Sequence, residues 1–214
     1  MASGEMKPDE FVDFLKSNFR LCAEHSRPGS LHYNFMDWRH ASEIISAGTT
    51  VFSDFINLCV WAKSSGGMGS LYRSQHELCF VFKSGKSPHV NNVELGKHGR
   101  YRTNVWQYAG VNSFGKHKND IVLHPTVKPV EMLKDAILDV TKRGDIVLDS
   151  FLGSGSTMVA AHQSKRICYG VEFEPLYVDT AIRRFKDMFG IDAVHEASGK
   201  TYGELSAGKG AGHG

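Results

Sequence analysis

The run Val147-Leu148-Asp149-Ser150-Phe151-Leu152-Gly153-Ser154-Gly155-Ser156-Thr157 joins an apolar stretch ending in an acid to two closely spaced glycines and a helix-compatible continuation. Glycines at such a turn let a ligand approach the backbone, and the first turn of a helix leaves N–H groups unpaired. A second acid, Glu172, closes the next apolar run. Nucleotide-binding sheets place a carboxylate about 20 residues after the first loop to accept hydrogen bonds from ribose hydroxyls. The glycine pair alone would serve equally as a plain turn between strand and helix. Together with the spaced acids, it points to an adenosine-containing ligand. A dinucleotide is disfavoured, because its fingerprint needs a third glycine where this chain has Met158, and has no use for an acid at Asp149.

Two further stretches stand out. His124-Pro125-Thr126-Val127-Lys128-Pro129 sits directly before a helical pattern, where Thr126, Lys128 and Pro129 could also act as a helix-start device. Between Lys83 and Lys118 there are seven Lys or Arg against the single acid Glu94, interleaved with Tyr101, Trp106, Tyr108 and Phe114. Basic residues among aromatics are suited to phosphate contact and base stacking. The charge of the whole chain is only +2, so the rest of it is net negative.

The pairing of His-Pro-Thr-Val-Lys-Pro with Asp149-Ser-Phe-Leu-Gly-Ser-Gly-Ser-Thr157 and Tyr169-Gly170-Val171-Glu172-Phe173-Glu174-Pro175-Leu176-Tyr177 resembles the bacterial and phage DNA methyltransferases that act on the amino groups of adenine or cytosine. It is most similar to their permuted subgroup, in which the catalytic half precedes the cofactor-binding half. Trp61-Ala62-Lys63, Gly66-Gly67-Met68-Gly69, Tyr72-Arg73-Ser74-Gln75-His76-Glu77 and Gly99-Arg100-Tyr101-Arg102-Thr103-Asn104-Val105-Trp106 extend the likeness, especially to members fused to ParB-like nuclease domains, over most of the chain.

That resemblance implies S-adenosylmethionine (SAM) as cofactor, double-stranded DNA as partner, no metal, and a cytoplasmic protein of bacterial or phage restriction-modification type. It places Phe151, Gly153, Ser154 and Gly155 along the cofactor, Asp149 near its methionine amino group, Glu172 on the ribose, and Thr126 and Lys128 at the methionine end. A zwitterionic methionine group does require an acid for its ammonium and donors for its carboxylate. The expected DNA contacts are Lys97, Arg100, Arg102, Trp106, Lys116 and Lys118, with Arg73 on a glycine-rich loop at the mouth of the site.

One departure matters. The resembled enzymes carry an Asp/Asn/Ser-Pro-Pro-aromatic tetrapeptide that orients the target amino group and stacks on the flipped base, and no Pro-Pro pair occurs in these 214 residues. The expectation is a chain that transfers no methyl group alone, because the tetrapeptide lies upstream or has been lost. The alternative is a non-catalytic module that binds SAM or DNA. No Pro-Cys dipeptide occurs either, which disfavours methylation of a cytosine ring carbon.

These residues need a frame to hold them. Apolar spacing predicts a helix from Pro8 to about His25, a strand over 31–38, a short helix ending at Gly48, and two neighbouring strands near a sheet edge, 56–62 and 77–82. A helix from Pro129 to about Lys142 leads into strand 146–148, helix 156–163, strand 167–171 and a helix from Pro175 to about Met188, a β-α-β-α unit. The fold expected is α/β: a class I SAM-dependent methyltransferase, Rossmann-like, with a mostly parallel sheet and an antiparallel edge pair, incomplete at the N-terminus. The methyltransferase domain would span 1–197, with a structureless recognition insertion at 83–120 and a flexible glycine-rich tail at 198–214.

Composition agrees with one soluble globular domain at 41% hydrophobic residues, and no run approaches the roughly 20 apolar residues that span a bilayer. The four cysteines, Cys22, Cys59, Cys79 and Cys168, show no metal-ligand spacing.

Overall fold

The computed structural model describes residues 6–97, 101–110 and 127–210, with side chains to 207. The chain runs α1 (Pro8–Glu24), β1 (Leu31–Met36), one 3-10 turn (Trp38–His40), α2 (Ala41–Val51), β2 (Asp54–Ala62), β3 (His76–Lys83) and β4 (Val105–Gln107). It continues through α3 (Val130–Val140), β5 (Ile146–Asp149), α4 (Ser156–Gln163), β6 (Ile167–Gly170), α5 (Pro175–Phe189) and α6 (Tyr202–Gly210).

The strands form two sheets among the described residues. One has the order β1-β3-β2-β4, and the other is the pair β5-β6. β3 runs against both its neighbours, while β2–β4 and β5–β6 are parallel. β3 is thus an interior strand, next to β2 and one strand in from the β1 edge, in keeping with the expectation of two neighbouring strands near an edge. Its apolar residues explain this: Cys79, Phe80, Val81 and Phe82 are all buried, so both faces of β3 are covered.

The alternation sorts those residues into two cores. Phe80 and Phe82 pack with Leu15, Phe19, Ile44, Ala47 and Phe52 of the α1–α2 layer. Cys79 and Val81 pack with Trp61, Trp106, Met132 and Ala136 on the opposite face. α3 then bridges the sheets, because its Ile137 lies with Ala160 and Ala161 of α4, beside Val147 and Cys168. Helices thus cover both faces of the four-stranded sheet, within the α/β class expected.

Two expectations about irregular segments do not hold. Within 83–120, expected to be structureless, Val105, Trp106 and Gln107 pair with Val60, Trp61 and Ala62, and Trp61 Nε1 donates to the Tyr108 carbonyl at 2.9 Å. Three residues are too few to register as a period, but burying the Trp106 ring fixes them. In the region expected as a mobile tail, Thr201 and Glu204 form a reciprocal cap: Thr201 N donates to Glu204 Oε2 at 2.7 Å and Glu204 N to Thr201 Oγ1 at 3.2 Å. That Thr-x-x-Glu signature starts α6.

Candidate functional site

The glycine loop is held from both sides. Phe151 N donates to Asp149 Oδ1 at 3.0 Å, closing the turn at the end of β5. Gly153 N donates to Glu172 Oε2 at 2.7 Å, and Glu174 N donates to Glu172 Oε1 at 3.0 Å. The acid after β6 therefore fixes the loop after β5. Each carboxylate oxygen keeps a further lone pair for a hydroxyl donor.

Gly153 and Gly155 take φ of +54° and +79°, left-handed values that favour glycine. Gly155 caps α4, and a Cβ there would sit 2.9 Å from Cβ of Ala181 on α5. Ser154 is turned inward and buried. Arg184 Nη1 of α5 donates to the Ser154 carbonyl at 3.2 Å and to Ser156 Oγ at 3.1 Å. Ser154 is thus bonded as an anchor of the loop while also lining the cleft beside it. Nothing in the spacing of the sequence singled out Arg184.

A cleft of about 1930 Å³ opens beside this loop. Asp149, Phe151, Gly153, Ser154, Glu172 and Lys128, spread over 45 positions of sequence, all line it. Gly155 lies behind the loop, and Thr126 falls outside the described residues. Phe151 is more than half exposed and its ring lies 6.1 Å from that of Phe14 on α1. Asn18 and Cys22 of α1 flank Ser150, with the Cys22 thiol 3.7 Å from Ser150 Oγ. Burial, followed by the charge of Asp149, pushes the Cys168 thiol up to about 12.

The opposite wall carries the cations. Lys128 Nζ pairs with Glu77 Oε1 at 2.8 Å and lies 5.4 Å from the centre of the Phe35 ring. Lys63 Nζ reaches the other oxygen of Glu77 at 3.5 Å and caps Trp61 at 4.7 Å. Glu77 was quoted within a motif but had no role assigned; its position at the start of β3 sets both lysines. The loop between Lys63 and Glu77 is tied by Arg73, whose Nε donates to the Gly67 carbonyl at 3.0 Å, and it leaves Met68, Leu71 and Tyr72 largely exposed.

Two residues expected to contact DNA are built into the protein instead. Trp106 is 7% exposed within the second core. Arg102 Nε pairs with Asp139 Oδ2 at 2.7 Å, its Nη1 is 3.2 Å from Tyr108 Oη, and it lies over the Trp106 ring. Ion pairing within the core outweighs a role at the surface, because leaving Asp139 buried without its partner is costly. Lys97 is exposed. Arg100, Lys116 and Lys118 lie outside the described residues.

Residues 2–183 match the DNA methylase family of N6/N4 type. The chain belongs to that family. The type II methyltransferase M.HpaI of Haemophilus parainfluenzae is 23% identical over 92% of this chain and 67% of its own length. M2.DpnII of Streptococcus pneumoniae is 35% identical over 83% of this chain and 68% of its own. The match to M2.MboI of Moraxella bovis spans half of that protein, at 29% identity over 62% of this chain. Among solved structures, the complex of M1.HpyAVI with SAM superposes with a TM-score of 0.69 at 25% identity, covering 84% of this chain and 85% of that one. The cytosine-N4-specific PvuII DNA methyltransferase superposes at 0.70 with 19% identity over 86% and 74%, which speaks for the fold of this family member.

Among the described residues no helix is long and apolar enough to cross a membrane, and no His, Cys, Asp or Glu cluster is arranged to hold a metal.

Proposed function

We propose that this member of the DNA methylase family binds SAM in the cleft beside the glycine loop and serves methyl transfer to the exocyclic amino nitrogen of adenine or cytosine in double-stranded DNA. The observation that carries the reading is the carboxylate of Glu172 bonded to Gly153 N beside Asp149, both acids lining one cleft. The donor set fits the cofactor: an acid for an ammonium at Asp149, a carboxylate for ribose hydroxyls at Glu172, and an exposed ring, Phe151, along an adenine. Lys128, with Thr126, would meet the methionine carboxylate, and Glu77 would then share Lys128 with it. When bound, SAM supplies a methyl group on a sulfonium, open to direct displacement without metal.

For DNA, Lys97, Arg100, Lys116, Lys118 and Arg73 supply the phosphate contacts, with Tyr72, Leu71 and Met68 exposed on the neighbouring loop. Because no Pro-Pro pair stands in the sequence, this chain alone transfers no methyl group. The same fact favours a second reading, a module that binds SAM or DNA without catalysis. The test is a calorimetric titration of SAM into the purified chain, with Asp149→Ala beside it. Saturable binding that Asp149→Ala abolishes supports the cofactor site. No binding by a chain shown to be folded removes it and leaves DNA binding as the activity to pursue.

A further inference from the structure

The register of the four-stranded sheet gathers several strand ends on one rim. β1, β2 and β4 run the same way and β3 runs against them, with Met36 opposite Leu78 and Ala62 opposite both His76 and Gln107. The carboxyl ends of β1, β2 and β4 therefore meet where β3 begins. Ligands of open α/β sheets bind outside the carboxyl ends of such strands. The connection from β2 to β3, residues 63–75, stands on this rim. Its feet, Ser65, Gly66, Gly67 and Ser74, line the same cleft as Asp149 and Phe151. Its tip stands clear of the cleft, with Met68 97%, Leu71 81% and Tyr72 84% exposed.

The loop is braced, so this exposure is a held shape. Lys63 N donates to the Gln75 carbonyl at 2.8 Å and Gln75 Nε2 to the Lys63 carbonyl at 2.9 Å, which closes the neck. Gly67 N donates to the Ser74 carbonyl at 2.7 Å, and Arg73 Nε returns to the Gly67 carbonyl at 3.0 Å. At the tip the chain turns so tightly that a Cβ on Gly69 would run into the Tyr72 carbonyl. Apolar side chains clustered and held out in water mark a contact surface. Charge selects the partner, because from Lys63 to His76 the loop carries Lys63 and Arg73 and no acid. A cationic frame around apolar and aromatic side chains matches nucleic acid, whose phosphates meet the charge and whose base faces meet the ring.

Amino methylation creates a need for such a loop. An exocyclic amino group inside a duplex cannot reach a methyl donor held in a cleft, so the base has to leave the stack, and the vacated gap is unfavourable until something fills it. Apolar side chains inserted between base steps fill such gaps, and a wedge that is already rigid loses less freedom on insertion. We propose that loop 63–75 enters the DNA duplex beside the cleft, with Leu71 and Tyr72 filling the gap left by the extruded base. The wedge rests on the DNA substrate proposed above and names the residues that hold the duplex open. Arg73 and Lys63 flank it as its phosphate contacts, while the bonds of Arg73 to the loop backbone keep the tip in shape.

An abasic site offers a gap that is already open, whatever sequence the enzyme recognises, so a wedge enters it without the cost of unstacking a base. The full chain is titrated by fluorescence anisotropy onto two labelled duplexes of one sequence, one intact and one with a single abasic site. The abasic duplex is expected to bind about tenfold tighter. Leu71→Ala combined with Tyr72→Ala should lose that preference, and Tyr72→Phe, which keeps the ring, should retain it. Thermal denaturation and SAM calorimetry on the same variants read the fold and the cofactor cleft separately. Equal binding of the two duplexes by the wild-type chain overturns the wedge and leaves the DNA reading standing, whereas binding of neither overturns both. A preference that survives the double substitution, or an equal loss of affinity for both duplexes, places the tip outside the base stack and overturns the wedge. So does sedimentation of a wild-type dimer that the double variant dissolves, since the tip would then serve a second copy of the chain.

Discussion

Glu172 Oε2 lies 2.7 Å from Gly153 N, so the acid just past the second strand of the β-α-β unit also sets the shape of the loop after the first. A ribose-binding carboxylate that also holds the loop gives Glu172→Ala a compound effect. One charged hydrogen bond is worth about 1.5–3 kcal/mol. SAM affinity is expected to fall at least tenfold, which is about 1.4 kcal/mol. Glu172→Gln, which keeps one carbonyl acceptor, should lose less. Calorimetry on the two variants checks the order, and equal losses would count against the double role.

Gly155 is fixed for two reasons that can be separated. Its φ of +79° strains any other residue, and a Cβ would meet Cβ of Ala181 at 2.9 Å. Gly155→Ala is expected to cost about 1–3 kcal/mol, read by urea denaturation. Combining it with Ala181→Gly removes the contact but not the strain, so the double variant should recover part of the loss beyond what Ala181→Gly costs alone. No recovery would assign the whole effect to the backbone.

The basic segment divides into positions that serve DNA and positions that serve the fold. Arg102→Ala leaves Asp139, whose side chain is 8% exposed, without its 2.7 Å partner, and breaking a buried pair costs about 3–5 kcal/mol. Lys97→Ala should leave stability unchanged within about 0.5 kcal/mol and lower the salt dependence of DNA binding by about one counterion. Thermal denaturation and binding across a salt series read the two effects. A Lys97→Ala chain with an unaltered salt slope would remove that residue from the interface.

The sequence showed where the long periodic elements lie, and the structure shows why the rest escaped it. α4 begins and ends where its apolar spacing placed it, at Ser156 and Gln163, since packing and local preference agree there. The place of Asp149 at the end of β5 was legible because a strand end followed by a glycine loop is a local pattern, whereas the bond from Gly153 N to Glu172 joins two loops 19 positions apart. Arg102 and Trp106 were misread because composition records charge and rings but not partners, and their partners, Asp139 and the second core, lie far along the chain. Arg184 and Glu77 act through contacts 28 and 51 positions away, at Ser156 and Lys128, which no local spacing encodes. The Thr201–Glu204 cap is a local signature, but the glycines around it led the sequence reading to a tail instead.

His32 gives the fold a pH dependence. Its Nε2 lies 2.6 Å from Ser84 Oγ and its ring 4.4 Å from that of Phe52, and burial lowers its pKa from 6.5 to about 4. Between those two values the unfolded chain takes up a proton that the folded chain refuses. Stability from this group is therefore complete above about pH 6.5 and is lost as the pH falls toward 4. At 1.36 kcal/mol per pH unit, lowering the pH from 7.5 to 5 should cost about 2 kcal/mol through His32. Carboxylates also titrate in acid, so the comparison is with His32→Gln, in which they are unchanged. Urea midpoints at the two pH values should shift less in the variant by that amount. An equal shift in both chains would show that His32 is protonated as readily in the folded chain as in the unfolded one.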